Sequence, residues 1–213
     1  MARIIESLDD IAEGLAVLTA ADARMRRIHR IAGDPPLRRA EAGFSGLVRI
    51  VVSQQVSVAS AEAIWRRTSS VFAPLTHEAI LAAPDEAFRE AGLSRNKTRT
   101  FRAIAAAIGE GLDLAGLAQG DADAAREILM AISGIGPWTA DIYVLSCLGR
   151  ADAWPTGDLA LQASAADLFG LERRPDARAM LALAQDWRPW RSVAARLLWA
   201  HYRSLKGLPQ AVS

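Results

Sequence analysis

Apolar residues recur along this chain at spacings of three and four rather than two, and that periodicity confines it to helices before anything else is considered. Alanine is abundant and β-branched runs are short, so no segment shows the alternation a half-buried strand needs. The pattern predicts an all-α chain. Ser7 is placed to cap a first helix with Leu8, Ile11, Leu15 and Leu18 on its inward face, and a second runs over 22–31. Gly33-Asp34-Pro35-Pro36 breaks the chain. Helices are then expected over 44–52, ending in Ser53-Gln54-Gln55, and over 58–72 through Ala61, Ile64, Trp65 and Val71. Short ones follow over 76–82 and 85–91, separated by Pro84, and a basic helix through Phe101, Ile104 and Ile108 follows the loop Gly92-Leu93-Ser94. Asp121 caps a helix ending at 132, a glycine turn opens another to about 148, Asp158 starts one reaching 169, and two more cover 176–186 and 189–205. No repeat or low-complexity linker interrupts them.

Composition excludes several classes. With 51% hydrophobic and 23% charged residues, neither disorder nor a fibrous repeat fits. The single cysteine, Cys147, excludes an internal disulfide, a CxxC zinc site and a four-cysteine iron–sulfur cluster. No uncharged run approaches the ~18 residues of a membrane span, and the opening MARIIESLDDIAEGL carries acids where a signal peptide is apolar. A cytoplasmic protein without membrane attachment is expected. The formal net charge of +1 decides nothing about a polyanionic partner, but its distribution is uneven. Residues 24–39 hold six arginines against Asp34, 94–106 hold Arg95, Lys97, Arg99 and Arg102 with no acid, and 187–213 hold five bases with no acid. That segregation suits nucleic acid, and arginines on ordinary solvated helix faces explain it equally well.

The window Leu129-Met130-Ala131-Ile132-Ser133-Gly134-Ile135-Gly136-Pro137-Trp138-Thr139-Ala140 is the most informative. Two helices meet at a glycine-hydrophobic-glycine turn, Ile135 faces inward, and the second helix begins with proline, whose missing N–H costs nothing at a first helical position. Glycines let a phosphate approach the backbone, and the helix N-terminus adds partial positive charge, so Gly134, Gly136 and Thr139 are candidate phosphate-binding positions. The alternative is a helix–helix corner that needs two glycines for tight geometry only.

With those residues in view, the chain resembles the helix-hairpin-helix DNA glycosylases, and within them is similar to the DNA-3-methyladenine glycosylase II group. The resemblance spans roughly 44–202. Its anchors are SQQVSVA at 53–59, GLSRNK at 92–97, the hairpin at 132–140, WPTGD at 154–158 and the closing WRPWRSVAARLLWAHY at 187–202. Ser133 stands where the family hairpin carries a proline. The resemblance implies one helical domain over 1–213 in two lobes, about 44–150 with the hairpin and about 1–43 plus 158–213, beside whose cleft the hairpin and Asp158 lie. The N-terminal β domain of some members is not expected, because the helical pattern starts close to residue 1.

What the resemblance implies for the site follows residue by residue. Asp158 takes the place of the family's aspartate, whose carboxylate opposes the positive charge that builds on deoxyribose as an N-glycosidic bond breaks. On spacing alone it reads as a helix N-cap for 159–169, and its place after the hairpin is what points to catalysis. Trp138 and Trp199 fall where pocket tryptophans lie, with Tyr143 a nearby candidate, since an extruded base needs π faces. Electron-poor alkylated bases stack well on indole. Trp65, Trp154, Trp187 and Trp190 are read as packing. Gln55 is the candidate wedge filling the hole behind the base, against a helix-capping amide, and Gln54 braces the same turn. Members that also cut the backbone carry a lysine where Trp138 stands, which implies a monofunctional hydrolase needing no cofactor. The family's hairpin sodium or potassium ion would sit on the carbonyls of Met130, Ile132 and Ile135. The expected activity is hydrolytic release of alkylated purines from double-stranded DNA, by a monomer. The rivals are a non-catalytic hairpin protein that binds lesions, a helical interaction domain whose hairpin is a corner, and a glycosylase for another base such as uracil or hypoxanthine.

Overall fold

The computed structural model describes residues 3–208. Among them lie twelve α-helices: α1 (Leu8–Ala21), α2 (Ala23–Ala32), α3 (Phe44–Ser53), α4 (Val58–Val71), α5 (His77–Ala82), α6 (Asp85–Glu90), α7 (Arg95–Gly109), α8 (Ala122–Met130), α9 (Pro137–Ser146), α10 (Leu159–Phe169), α11 (Ala177–Leu183) and α12 (Arg191–Leu205). No strand forms among the described residues, and the one extended pairing is an isolated bridge between Ile4 and Arg150. The all-α reading therefore holds. The chain divides into two compact units, Met1–Arg39 with Gly149–Ser213, and Ala40–Leu148.

In the first unit, Ser7 and Asp10 cap α1 reciprocally, each side chain accepting from the other's backbone N–H, and Asp9 and Asp10 suit the positive end of the helix. Ile11, Leu15 and Leu18 are buried as expected, whereas Leu8 is 58% exposed. A first-turn residue ahead of the apolar stripe lies off the packed face. α12 packs on α1, α2 and α10. Gly14 makes the first contact possible, because a Cβ there would stand 2.8 Å from the Trp190 ring. Trp154, Trp187 and Trp190 are core residues, the first two with ring centroids 5.4 Å apart. Arg196 is buried and donates to the carbonyls of Leu37 (2.9 Å) and Ser192 (3.0 Å), tying the 37–39 segment to α12.

In the second unit, α3 is central, packing on α4, α7 and α9 with Leu47, Val48, Val51 and Val52 almost wholly buried. Phe88, Phe101 and Ile104 complete the core on one side, and Leu129, Ile132, Ile135 and Val144 on the other. α4 is shallower than its pattern suggests: Thr68 is its one buried residue, and Trp65 lies 5.4 Å from the Arg49 guanidinium instead of in the core. Helix ends shift locally. α8 stops at Met130 because the hairpin turn begins there, and the expected 176–186 helix tightens into a 3-10 turn at Ala184–Trp187.

Candidate nucleic-acid interface and catalytic carboxylate

The hairpin lies wholly in the second unit. Its turn closes by two short bonds, Ile132 N–H to the Leu129 carbonyl (3.1 Å) and Ile135 N–H to the Ile132 carbonyl (3.0 Å), and the buried side chains of Ile132 and Ile135 anchor it. Beneath it, Arg126 of α8 donates to the buried Asp141 of α9 at 2.7 Å, an ion pair that the sequence reading did not include. The two glycines differ in kind. Gly134 has φ +88°, and a Cβ there would stand 1.9 Å from Thr100 Oγ1 on α7, so the fold itself requires glycine. Gly136 has an ordinary extended φ of −92° and open space for 4 Å around the position of a Cβ. A corner built for tight packing explains Gly134 alone. At Gly136 no atom of the protein lies within 4 Å of where a Cβ would stand, so packing alone does not require glycine there. α9 then begins at Pro137 with its first-turn amides lacking intrahelical acceptors.

Thr139 departs from expectation. Its side chain is buried and its Oγ1 accepts the Gln54 Nε2–H at 2.7 Å, so only its backbone N–H remains for a phosphate. Gln54 braces the α3–α4 turn as expected, with the hairpin helix as its support. Gln55 is exposed at the tip of that turn with φ +56°, a left-handed conformation rarely adopted by glutamine. It is not a helix cap. The backbone N–H of Gln54 closes α3, the Ser57 side chain caps α4, and Val56 and Val58 flank the tip at 38% and 79% exposure.

Trp138 is half-buried in the first turn of α9. Tyr143 is corrected: its ring has no exposed surface, and its hydroxyl accepts the Gly43 N–H at 2.8 Å. Burial pushes its pKa up to about 12. A ring so enclosed offers no face to a base and serves to anchor the entry to α3. The neighbouring carbonyls of Met130, Ile132 and Ile135 are oxygen donors of the type hard cations take. The Ile132 oxygen already accepts one N–H, leaving one lone pair.

Asp158 belongs to the first unit. The buried Trp154 fixes the segment before it, Gly157 turns the chain at φ +80°, and Asp158 then caps α10, Oδ1 accepting from Ala160 N–H and Leu161 N–H at 3.0 Å each. The same oxygen accepts the Trp199 indole N–H at 3.2 Å. Three donors from two helices therefore fix the direction of one half-buried carboxylate. The N-cap is therefore formed, and the same bonds hold the carboxylate in one direction. The Trp199 contact bridges 41 residues, beyond the reach of any local pattern. Among the described residues no group of three or more metal-ligating side chains occurs, and no helix is long and apolar enough to cross a membrane.

The chain is similar to known proteins. The chain is 31% identical over 209 residues to the probable bifunctional transcriptional activator/DNA repair enzyme AlkA of Mycobacterium tuberculosis, covering 92% of this chain but 41% of that relative. It therefore spans less than half of that protein's length. A DNA-3-methyladenine glycosidase of Bacillus halodurans superposes with a TM-score of 0.78 at 29% identity, covering 99% of this chain and 96% of the other. The 3-methyladenine DNA glycosylase Mag1 of Schizosaccharomyces pombe, in complex with abasic DNA, superposes with 0.80 at 25% identity, covering 94% and 100%. The family description "HhH-GPD superfamily base excision DNA repair protein" matches residues 48–189, a span that takes in both the hairpin and the Asp158 cap, and the chain belongs to that superfamily.

Proposed function

We propose that the chain is a monofunctional DNA glycosylase that releases alkylated purines, 3-methyladenine first, from duplex DNA and leaves an abasic site. The observation that carries this reading is Asp158, a carboxylate oriented jointly by the α10 amides and the Trp199 indole. The Gly134-Ile135-Gly136 turn and the first amides of α9 bind a backbone phosphate, Gln55 enters the duplex, and the extruded base takes the indole face of Trp199 beside Asp158, with Trp138 a second candidate stacking face. The bond from C1′ to the base nitrogen then breaks with its electron pair leaving on the base. The oxocarbenium charge on the sugar is opposed by Asp158, and a water adds to C1′ and gives up a proton. Trp138 offers no amine for a Schiff base, so the reaction stops at the abasic site. A sodium or potassium ion on the Met130, Ile132 and Ile135 carbonyls would add positive charge beside the phosphate, and no step depends on it. The protein acts as a cytoplasmic monomer on this reading.

The test is release of free base from methylated duplex DNA, with products separated chromatographically and borohydride added in parallel. Free 3-methyladenine with no trapped protein–DNA adduct is expected. A trapped adduct overturns the monofunctional assignment. Salt-dependent lesion binding without base release would instead identify a binding protein, and release of uracil or hypoxanthine alone would reassign the substrate.

A further inference from the structure

Lys97 is the third residue of α7, its N–H bonded to the capping Ser94 side chain, so its cation sits at the positive end of its own helix. What it serves is another helix. Its Nζ donates at 2.7 Å to the carbonyl of Val52, in the last turn of α3, where backbone carbonyls have no intrahelical partner. Val52 is buried and Lys97 half-buried, so the bond is shielded from water. Three residues beyond Val52 stands Gln55 in its left-handed conformation. The same turn is also held by Gln54, which donates to Thr139 of α9 at 2.7 Å. The turn that presents Gln55 is thus clamped at two points, by α7 and by the helix of the hairpin, while its tip stays exposed.

We propose that Lys97 is a positioning residue for Gln55: by fixing the end of α3 it maintains the turn geometry from which Gln55 enters the duplex. This rests on Gln55 being the wedge. It also commits the Lys97 amine to a backbone carbonyl, away from any attack on the sugar.

The experiment uses duplexes whose target nucleotide is 2-aminopurine, bright when unstacked and independent of catalysis, placed opposite thymine or in a mispair. Lys97→Met, Lys97→Gln, Lys97→Arg, Gln55→Ala and the double variant Lys97→Met/Gln55→Ala are compared, with melting temperatures alongside. Lys97→Met and Lys97→Gln should lower extrusion of the paired target about tenfold and of the mispaired target much less, as Gln55→Ala does, because a mispair is cheap to unstack. Lys97→Arg, which can still donate, should recover most of the loss. The double variant should match Gln55→Ala alone, since residues acting through one contact do not add. Equal losses on both targets, multiplied losses in the double variant, or wild-type extrusion by a folded Lys97→Gln would each overturn the proposal. If Gln55→Ala itself fails to discriminate paired from mispaired targets, the wedge reading falls, and Lys97 with it.

Discussion

Replacing Asp158 by asparagine separates the two roles that its geometry combines. Asparagine ranks with aspartate as an N-cap, so its carbonyl oxygen can still accept from Ala160, Leu161 and Trp199. Stability should change by less than about 0.5 kcal/mol, a melting shift of roughly 2 °C for a chain of this size. Alanine instead removes the cap, costing about 1 kcal/mol, and deprives the Trp199 indole of its acceptor, costing about 1 kcal/mol more. That sum corresponds to roughly 4–8 °C. Chemistry should respond differently. A unit charge about 4 Å from a developing cation, at an effective dielectric of about 20, contributes about 4 kcal/mol, roughly a thousandfold in rate. Both variants should lose at least that factor in single-turnover release of base at saturating enzyme, while Asp158→Asn binds an abasic-site duplex within a few-fold of wild type. Base release by Asp158→Asn within tenfold of wild type would refute the electrostatic role. Parallel loss of melting temperature, binding and activity in that variant would reduce Asp158 to a cap.

The glycines should part company: Gly136→Ala should melt like wild type yet bind duplex more weakly whatever the lesion, whereas Gly134→Ala should lose roughly 1–3 kcal/mol of stability, read by thermal denaturation and binding isotherms. Trp199→Phe keeps a ring but loses the donor to Asp158, so release of every lesion should slow about tenfold; Trp199→Ala should cost a further ten- to hundredfold on uncharged lesions such as ethenoadenine. Tyr143 keeps its proton in the folded state to about pH 12, whereas the unfolded chain loses it near pH 10. The stability it contributes is complete below pH 10 and is lost as pH rises through about 12. Tyr143→Phe should therefore flatten the alkaline limb of the stability curve measured by circular dichroism, and coincident limbs would contradict the assignment. Replacing Arg95 and Arg99 together should reduce the slope of log binding constant against log salt by up to about 1.8, and an unchanged slope would remove them from the interface.

Local signals were legible in the sequence because their causes are local. Ser7, Asp22, Asp121, Asp158 and Asp176 each stand one residue before a helix and accept its first amides. The Gly-Pro boundary at 136–137 opens α9 where it was read. What escaped was set by tertiary partners. The Trp199–Asp158 and Gln54–Thr139 bonds bridge 41 and 85 residues. Thr139 and Tyr143 were assigned to the site because they lie beside the hairpin in sequence, but a helix turns 100° per residue. Both fall on its inward face. A hydroxyl three or seven residues after a glycine turn is as easily core as surface, and only the packing of α3 against α9 decides.

The charge pattern shows the same separation between what sequence counts and what structure uses. Of the arginines in 24–39, Arg24 pairs with Asp22 and stacks on Phe169, Arg26 donates to the Thr19 carbonyl, and Arg27 reaches Asp167. In the closing segment Arg188 and Arg191 share Asp152, and Arg196 is enclosed. These cations stabilise the first unit, so their abundance says little about DNA. In the second unit, Arg102 likewise pairs with Asp85. Arg95 and Arg99 are exposed, and Arg99 bonds only the neutral Asn96 side chain; neither meets a carboxylate among the described residues. They share α7 with Thr100, the residue that a side chain at Gly134 would strike. A net charge of +1 is therefore a poor guide to DNA binding, because many of the arginines are engaged within the fold while Arg95 and Arg99 meet no carboxylate among the described residues.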